Sequence, residues 1–217
     1  MDLDAVSDIV SVKKPAELDE HRVDANPIRQ FQSWFDDALS CGMPMADAMT
    51  LCTATGDGKP SARMVLLKGV DESGFVFYTN YRSRKARELD ANPLAALVFY
   101  WEPLERQVRV EGRVSRISAA DSDKYFQSRP RESQLGAIAS PQSEVIASRA
   151  ALEKSYEQLA EEFRDESRPV KRPEHWGGYR LVPDKIEFWK GRPSRLHDRL
   201  LYELQPDATW RLSRLAP

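Results

Sequence analysis

Short apolar segments separated by tight turns, with helices set between them and more strands at the end, predict an antiparallel barrel with helical insertions. This is a mainly β chain of the α+β class. Three observations carry the prediction. Gly56-Asp57-Gly58 lies between two strand-like runs and makes a hairpin turn. Helical periodicity interrupts the strand series instead of following every strand. Neither GxGxxG nor GxxxxGK(S/T) occurs, which disfavours a Rossmann or P-loop nucleotide fold.

Residues 1 to 25 are polar with little periodicity and read as a mobile arm, which leaves 26–217 as a single domain. Asn26-Pro27 starts a helix, with Asn as cap and Pro in the first turn; Ile28, Phe31, Trp34, Phe35 and Leu39 follow at helical spacing, and Gly42 can end it. Strands are expected over 48–55, 61–69 and 74–80. A short helix over 83–91 precedes strands over 94–101 and 105–117. Ser118 and Asp121 form a capping box for a helix that Arg129-Pro130 breaks, and Pro130 can open another. A long charged amphipathic helix is expected over 143–165, a basic linker over 167–173, and late strands over 176–182, 185–189, 195–205 and 209–212.

With 217 residues the chain can bury one sizeable core. Its 32 basic and 34 acidic residues give a net charge of -2, so no global field favours nucleic acid or an anionic membrane, and any anion site must be local. Cys41 and Cys52 have no metal or redox spacing, and the three histidines are scattered, so no metal site is expected. The acidic N-terminus and the absence of a long apolar run point to a soluble cytoplasmic protein.

Five segments could carry chemistry. In a strand, Arg195, His197 and Arg199 would share one face, a row suited to a flat anionic ligand and equally found on an exposed basic edge. Arg63 and Lys68 in RMVLLK are an odd number apart, so a regular strand would send them to opposite faces. They would serve two anions, or snorkel from a buried strand. Ser83-Arg84-Lys85 opens a helix, where free N–H groups and two cations suit phosphate. Tyr125, Arg129 and Ser133 straddle the Pro130 break and could converge on a phosphate monoester, although Arg129 could equally pair with Glu132 or Asp123. Gln107, Gln142-Ser143 and Trp189 supply amides for a heterocycle edge and a ring to stack, or in the case of Trp189 simply core.

Taken in order, RMVLLK (63–68), FYTNYRSRKA (77–86), LERQVRVEG (104–112), YFQSRPRESQLGA (125–137), WGGYRL (176–181), IEFWKG (186–191), RLHDR (195–199) and the terminal RLAP resemble the pyridoxine/pyridoxamine 5′-phosphate oxidases. The resemblance implies an FMN-binding split β-barrel, active as a homodimer with FMN at the subunit interface. It also implies oxidation of pyridoxine or pyridoxamine 5′-phosphate to pyridoxal 5′-phosphate, with dioxygen reoxidising the flavin to give hydrogen peroxide. Residue by residue, it implies cofactor contacts from Arg63, Met64, Val65, Leu66, Leu67, Lys68, Tyr78, Thr79, Arg84, Lys85, Gln107, Gln142, Ser143, Trp189 and Arg199. Lys68, Tyr125, Arg129 and Ser133 match the grip on the substrate phosphate, and Arg195 and His197 the residues over the substrate ring, assigned to orientation and proton handling.

The chain departs from the pattern at its N-terminus. Many members carry an Arg-x-x-Tyr there, whereas here residues 12–17 read VKKPAE and the first tyrosine is Tyr78, so that lid closure either uses Lys13 or Lys14 or is weaker, and no site residue is assigned there. Rival readings are a phenazine-type oxidase on the same fold, which should lack the full phosphate set, and a flavin-binding protein without catalysis, which would not need Arg195 and His197. A third, a barrel for single-stranded nucleic acid, is disfavoured by the charge.

Overall fold

Local chemistry sets the first helix. Asn26 Oδ1 accepts the backbone N–H of Ile28 at 2.8 Å, Pro27 occupies the first turn, and α1 (Pro27–Ser40) ends before Gly42 at φ 73°. The structure, a computed structural model, describes residues 17–217. The strands that follow are β1 (Ala48–Ala54), β2 (Pro60–Leu66), β3 (Gly69–Asp71), β4 (Gly74–Asn80), β5 (Leu94–Trp101), β6 (Arg106–Arg116), β7 (Trp176–Lys190), β8 (Asp198–Leu204) and β9 (Trp210–Arg214). Helix α2 (Arg84–Ala91) sits between β4 and β5, and α3 (Ala119–Ser128), α4 (Arg131–Ala139) and α5 (Arg149–Glu162) between β6 and β7. No helix among the described residues is long and apolar enough to cross a membrane.

All strand pairs are antiparallel, in the order β2-β1-β5-β6-β7-β4-β3, with β8 on β7 and β9 on β8. The sheet curls because β7 changes partner along its length. Residues 176–181 pair with β4, while 185–190 pair with β8 on the same edge, and β6 runs along the other edge. The change coincides with a bulge, where Glu111 faces Lys185 but Gly112 faces Pro183. A Cβ on Gly112 would collide with the Val182 carbonyl oxygen and come within 2.8 Å of Pro183 Cα, so the bulge requires glycine. The sequence reading of two late strands therefore becomes one bent strand. Proline is tolerated inside it because the bulge breaks the ladder there.

Alternate residues of β1, β4, β5, β6, β7 and β8 point into one core, which α1 plugs with Phe31 and Trp34. Phe31 meets Phe75 and Phe99 at 4.9 Å, and Trp34 meets Phe188 edge-on at 5.2 Å. A second, smaller cluster of Phe126, Leu135, Val170 and Trp176 forms where α3 and α4 cover β4 and the start of β7.

Three expectations need correction. The helix expected over 143–165 runs only from Arg149, capped by Ser148, to Glu162. Lys68 lies beyond the end of β2, in the connection to β3, so its direction is not set by strand alternation from Arg63. The strand expected from Arg195 begins only at Asp198. Pro193 to Arg195 form a 3-10 turn in which Ser194 and Arg195 have φ of 59° and 60°, and left-handed backbone cannot alternate faces. Most of the expected N-terminal arm, with Lys13 and Lys14, lies outside the described residues. Of the rest, Leu18 is buried, its N–H donates to Asp198 at 3.3 Å, and Arg214 donates to its carbonyl at 2.9 Å.

Candidate active site

Strand register brings the first group of predicted residues together. Leu51 faces Arg63 and Thr53 faces Ser61, so Arg63 can donate to the Leu51 carbonyl at 3.1 Å and to Thr53 Oγ1 at 2.6 Å. Helix α2, capped by Ser83, delivers Lys85 to the same place. Its Nζ donates to Gln142 Oε1 at 2.8 Å and to Thr79 Oγ1 at 3.2 Å. Burial and the nearby Arg63 push the Lys85 ammonium down to about 8. Glu88, one turn along α2, is 4% exposed and missing from the sequence reading. It accepts from Thr53, Ser61, Arg63 and Arg84, the last at 2.8 Å. Its carboxyl lies at about 2, because those hydrogen bonds outweigh the opposing cost of burial. The i, i+4 spacing from Arg84 is the one sequence signal that could have found it.

On the other face of β4, Tyr78 stacks on Tyr125 at 3.9 Å and on Trp176 at 5.4 Å. Arg129 follows the end of α3, and Ser133 lies in the first turn of α4. Both line a cleft of about 360 Å³ together with Asn80, Gln142 and Trp176. The Arg129 guanidinium lies 4.6 Å over Trp176. Its Nη1 is buried with no hydrogen-bond partner among the described residues, and desolvation lowers its pKa. The expected pairing of Arg129 with Glu132 or Asp123 is not seen; Asp123 is taken by Arg172 at 2.6 Å. Lys68 does not join these groups by a hydrogen bond; its Nζ pairs with Asp47 at 2.7 Å.

The third group lies at the far end of β7. Gln107, Trp189 and Arg199 are neighbours across β6, β7 and β8. Arg199 grips Glu187 at 2.8 and 3.2 Å, and Arg109 reaches the same carboxylate at 3.2 Å. His197 packs on Trp189 with ring centroids 4.7 Å apart, and its Nδ1 accepts the Arg192 N–H at 3.1 Å. Arg195 is exposed on its turn. Of the remaining predicted residues, Leu67 is core and Met64 is exposed. Val65 and Leu66 are half-buried, and Ser143 occupies a turn at φ 72°.

The chain is similar to known proteins over most of its length. Residues 35–162 fit the family model described as pyridoxamine 5′-phosphate oxidase. Residues 176–217 fit the one described as the pyridoxine 5′-phosphate oxidase C-terminal dimerisation region. A pyridoxine/pyridoxamine 5′-phosphate oxidase of Burkholderia lata is 58% identical over 204 residues, 93% of this chain and 94% of the relative. The one of Trichormus variabilis is 56% identical over 200 residues, 92% of each. The crystal structure of PhzG from Burkholderia lata, in complex with tetrahydrophenazine-1-carboxylic acid, superposes with a TM-score of 0.85 at 30% identity, covering 91% of this chain and 95% of that one. A pyridoxamine 5′-phosphate oxidase-related, FMN-binding protein of Nostoc punctiforme shares the fold with a TM-score of 0.71 at 19% identity, covering 90% and 100%. Matches of this extent, to models and relatives alike, mean that the chain belongs to the pyridoxine/pyridoxamine 5′-phosphate oxidase family.

Proposed function

We propose that the protein is a cytoplasmic, homodimeric, FMN-dependent oxidase that converts pyridoxine 5′-phosphate or pyridoxamine 5′-phosphate to pyridoxal 5′-phosphate. The observation that carries this reading is the Arg129 guanidinium, which lines the cleft with Ser133 and whose buried Nη1 has no hydrogen-bond partner among the described residues. A desolvated guanidinium with a spare donor is costly unless a ligand supplies the acceptor, and a phosphate monoester does so with about -1.5 to -2 charges. The Lys85 group fits a second phosphate for the same reason: Arg63, Arg84 and Lys85 outnumber the one carboxylate among them, Glu88, and the Lys85 ammonium is destabilised in the free protein. That donor set suits the phosphate and ribityl end of FMN, with Thr79 and Gln142 beside it and Tyr78 on the opposite face of β4.

Within one chain the third group lies towards the opposite end of β7 from these two. Thr79 pairs with Gly177 and Gln107 with Trp189. The intervening stretch of β7 is on the order of 40 Å long at about 3.3 Å per residue, less what the bulge removes. Gln107, Trp189 and Arg199 therefore complete the cofactor site of a second copy, and Arg195 and His197 cover the substrate held there.

Bound at these residues, FMN would supply two-electron oxidation at substrate C4′ with dioxygen as the final acceptor, giving hydrogen peroxide; the amine substrate would also take up water and release ammonia. This chain's residues bind and orient. Arg129 and Ser133 hold the substrate phosphate, joined by Tyr125 and by Lys68 once it leaves Asp47. His197, with Nδ1 already accepting from Arg192, carries its neutral-state proton on Nε2. That tautomer donates a hydrogen bond to the substrate oxygen or amine and orients it.

An aerobic assay of the FMN-loaded protein, reading pyridoxal 5′-phosphate as its aldehyde adduct, tests the proposal. Turnover of pyridoxine 5′-phosphate but not of pyridoxine is expected. A yellow protein giving no product would favour the phenazine-type reading, which the similarity to PhzG keeps in play.

A further inference from the structure

We infer that Trp176 is a positioning residue for the substrate-phosphate grip: its indole face holds the Arg129 guanidinium in place at the cleft that Arg129 and Ser133 line. The inference rests on the reading of Arg129 as a phosphate ligand and goes beyond it to the group that orients the arginine.

Four observations converge on this indole. The guanidinium lies 4.6 Å from the Trp176 ring, nearer than the 5.7 Å to Phe126. No ion pair or hydrogen bond among the described residues anchors the Arg129 side-chain end, so the stack is the contact that fixes it. The indole is itself fixed. It is 6% exposed, lies parallel to Tyr78 and Tyr125 within 12° and 7°, and takes the edge of Phe126 at 5.2 Å. The backbone of the corner is pinned separately, because the buried Gln134 amide donates to the carbonyls of Phe126 at 3.0 Å and Arg129 at 3.2 Å. Trp176 thus governs the side chain and leaves the corner to Gln134. Trp176 also lines the cleft that holds Arg129, Ser133 and Gln142.

A planar guanidinium stacks on an indole while keeping its in-plane N–H groups free, which a lysine ammonium cannot do. A tryptophan that only filled the core would affect stability and every substrate alike. A tryptophan that holds Arg129 in place affects the phosphate interaction, which is uniform binding and is read in KM.

The test uses the FMN-loaded full-length protein at saturating oxygen with pyridoxine 5′-phosphate. W176L should raise KM by about 5- to 30-fold, the range of a desolvated cation–π contact, with kcat changed less than about twofold. W176F, which keeps an aromatic face, should recover most of the loss. R129K should raise KM at least as much as W176L, and the double variant W176L/R129K should be no worse than R129K alone. The dissociation constant of FMN, measured by flavin fluorescence, should stay within about twofold throughout. A KM for W176L within twofold of the parent, or losses that add in the double variant, would overturn the inference. If W176L fails to fold, the cycle is run with W176F, whose smaller effect on KM must vanish in the R129K background; persistence there overturns the inference too. Failure of the parent protein to make any pyridoxal 5′-phosphate would instead strike the functional reading beneath it.

Discussion

The Lys85 ammonium lies at about 8 in the free protein, lowered by burial and by Arg63. A bound phosphate would supply the missing counter-charge and return it towards or above the ordinary lysine range. Binding therefore takes up a proton wherever free Lys85 has lost one, and affinity for FMN must fall as pH rises through about 8. If the bound form stays charged, apparent affinity scales with the charged fraction of the free protein. That fraction drops about tenfold between about pH 7 and about pH 9. The perturbation is thus pH alone, and the assay is titration of the apoprotein with FMN, followed by quenching of flavin fluorescence at constant ionic strength. K85R should bind with a flat profile over the same range, since a guanidinium stays charged. K85M should bind weakly and also without the slope. A parent profile that changes less than about threefold, or a slope that persists in K85M, would refute the placement of Lys85 against the cofactor phosphate.

Other perturbations read other parts of the structure. Gly112→Ala puts a methyl group into the Val182 carbonyl at the β7 bulge and should cost about 3 kcal/mol or more, visible as a drop in urea midpoint or as insoluble protein. Normal stability of that variant would mean the bulge does not need glycine. Glu187→Ala removes the shared partner of Arg199 and Arg109. Because both arginines are partly exposed, the loss should be about 1–2 kcal/mol by chemical denaturation, accompanied by weaker FMN binding. An unchanged FMN affinity would separate Arg199 from the cofactor. Arg195→Ala and His197→Ala should lower turnover by roughly 10²–10⁴-fold while FMN content is kept. Losses below tenfold in both would remove them from the reaction face.

Much of the fold was legible because the chain marks its own boundaries. Asn26 and Ser118 cap the helices expected of them, and β4 and β5 run over 74–80 and 94–101 as read. The misreadings share a cause: local pattern does not report tertiary partners. Lys185 to Trp189 reads as a separate strand because Pro183 interrupts it, yet β6 runs alongside both halves. Arg195 and His197 alternate in sequence, but a positive-φ turn removes the alternation, and nothing in their side chains announces it. At the candidate site, the cations were legible as cations, whereas their acceptors were not. Glu88, Asp47 and Glu187 look like ordinary surface acids until register and packing bring them under Arg63, Lys68 and Arg199.

On the proposed reading, those acceptors explain how a chain with a net charge of -2 would hold two phosphates. An uncompensated cluster of Arg63, Arg84 and Lys85 would repel itself in the free protein, and its side chains would swing out to water. Glu88, locked beneath them, offsets one charge and fixes the geometry, leaving an excess near two that matches a phosphate monoester. At the neighbouring site the solution differs. Lys68 is held in reserve by Asp47, and Arg129 is held by an aromatic face that takes none of its hydrogen-bonding capacity. A carboxylate under Arg129 would order it equally well but would occupy the donors the substrate needs. The ring orders it and leaves Nη1 with no hydrogen-bond partner among the described residues. The two sites thus follow from one requirement, cations kept ordered before the anion arrives. The proposed cofactor end meets it with a buried acid and the proposed substrate end with a stacked ring.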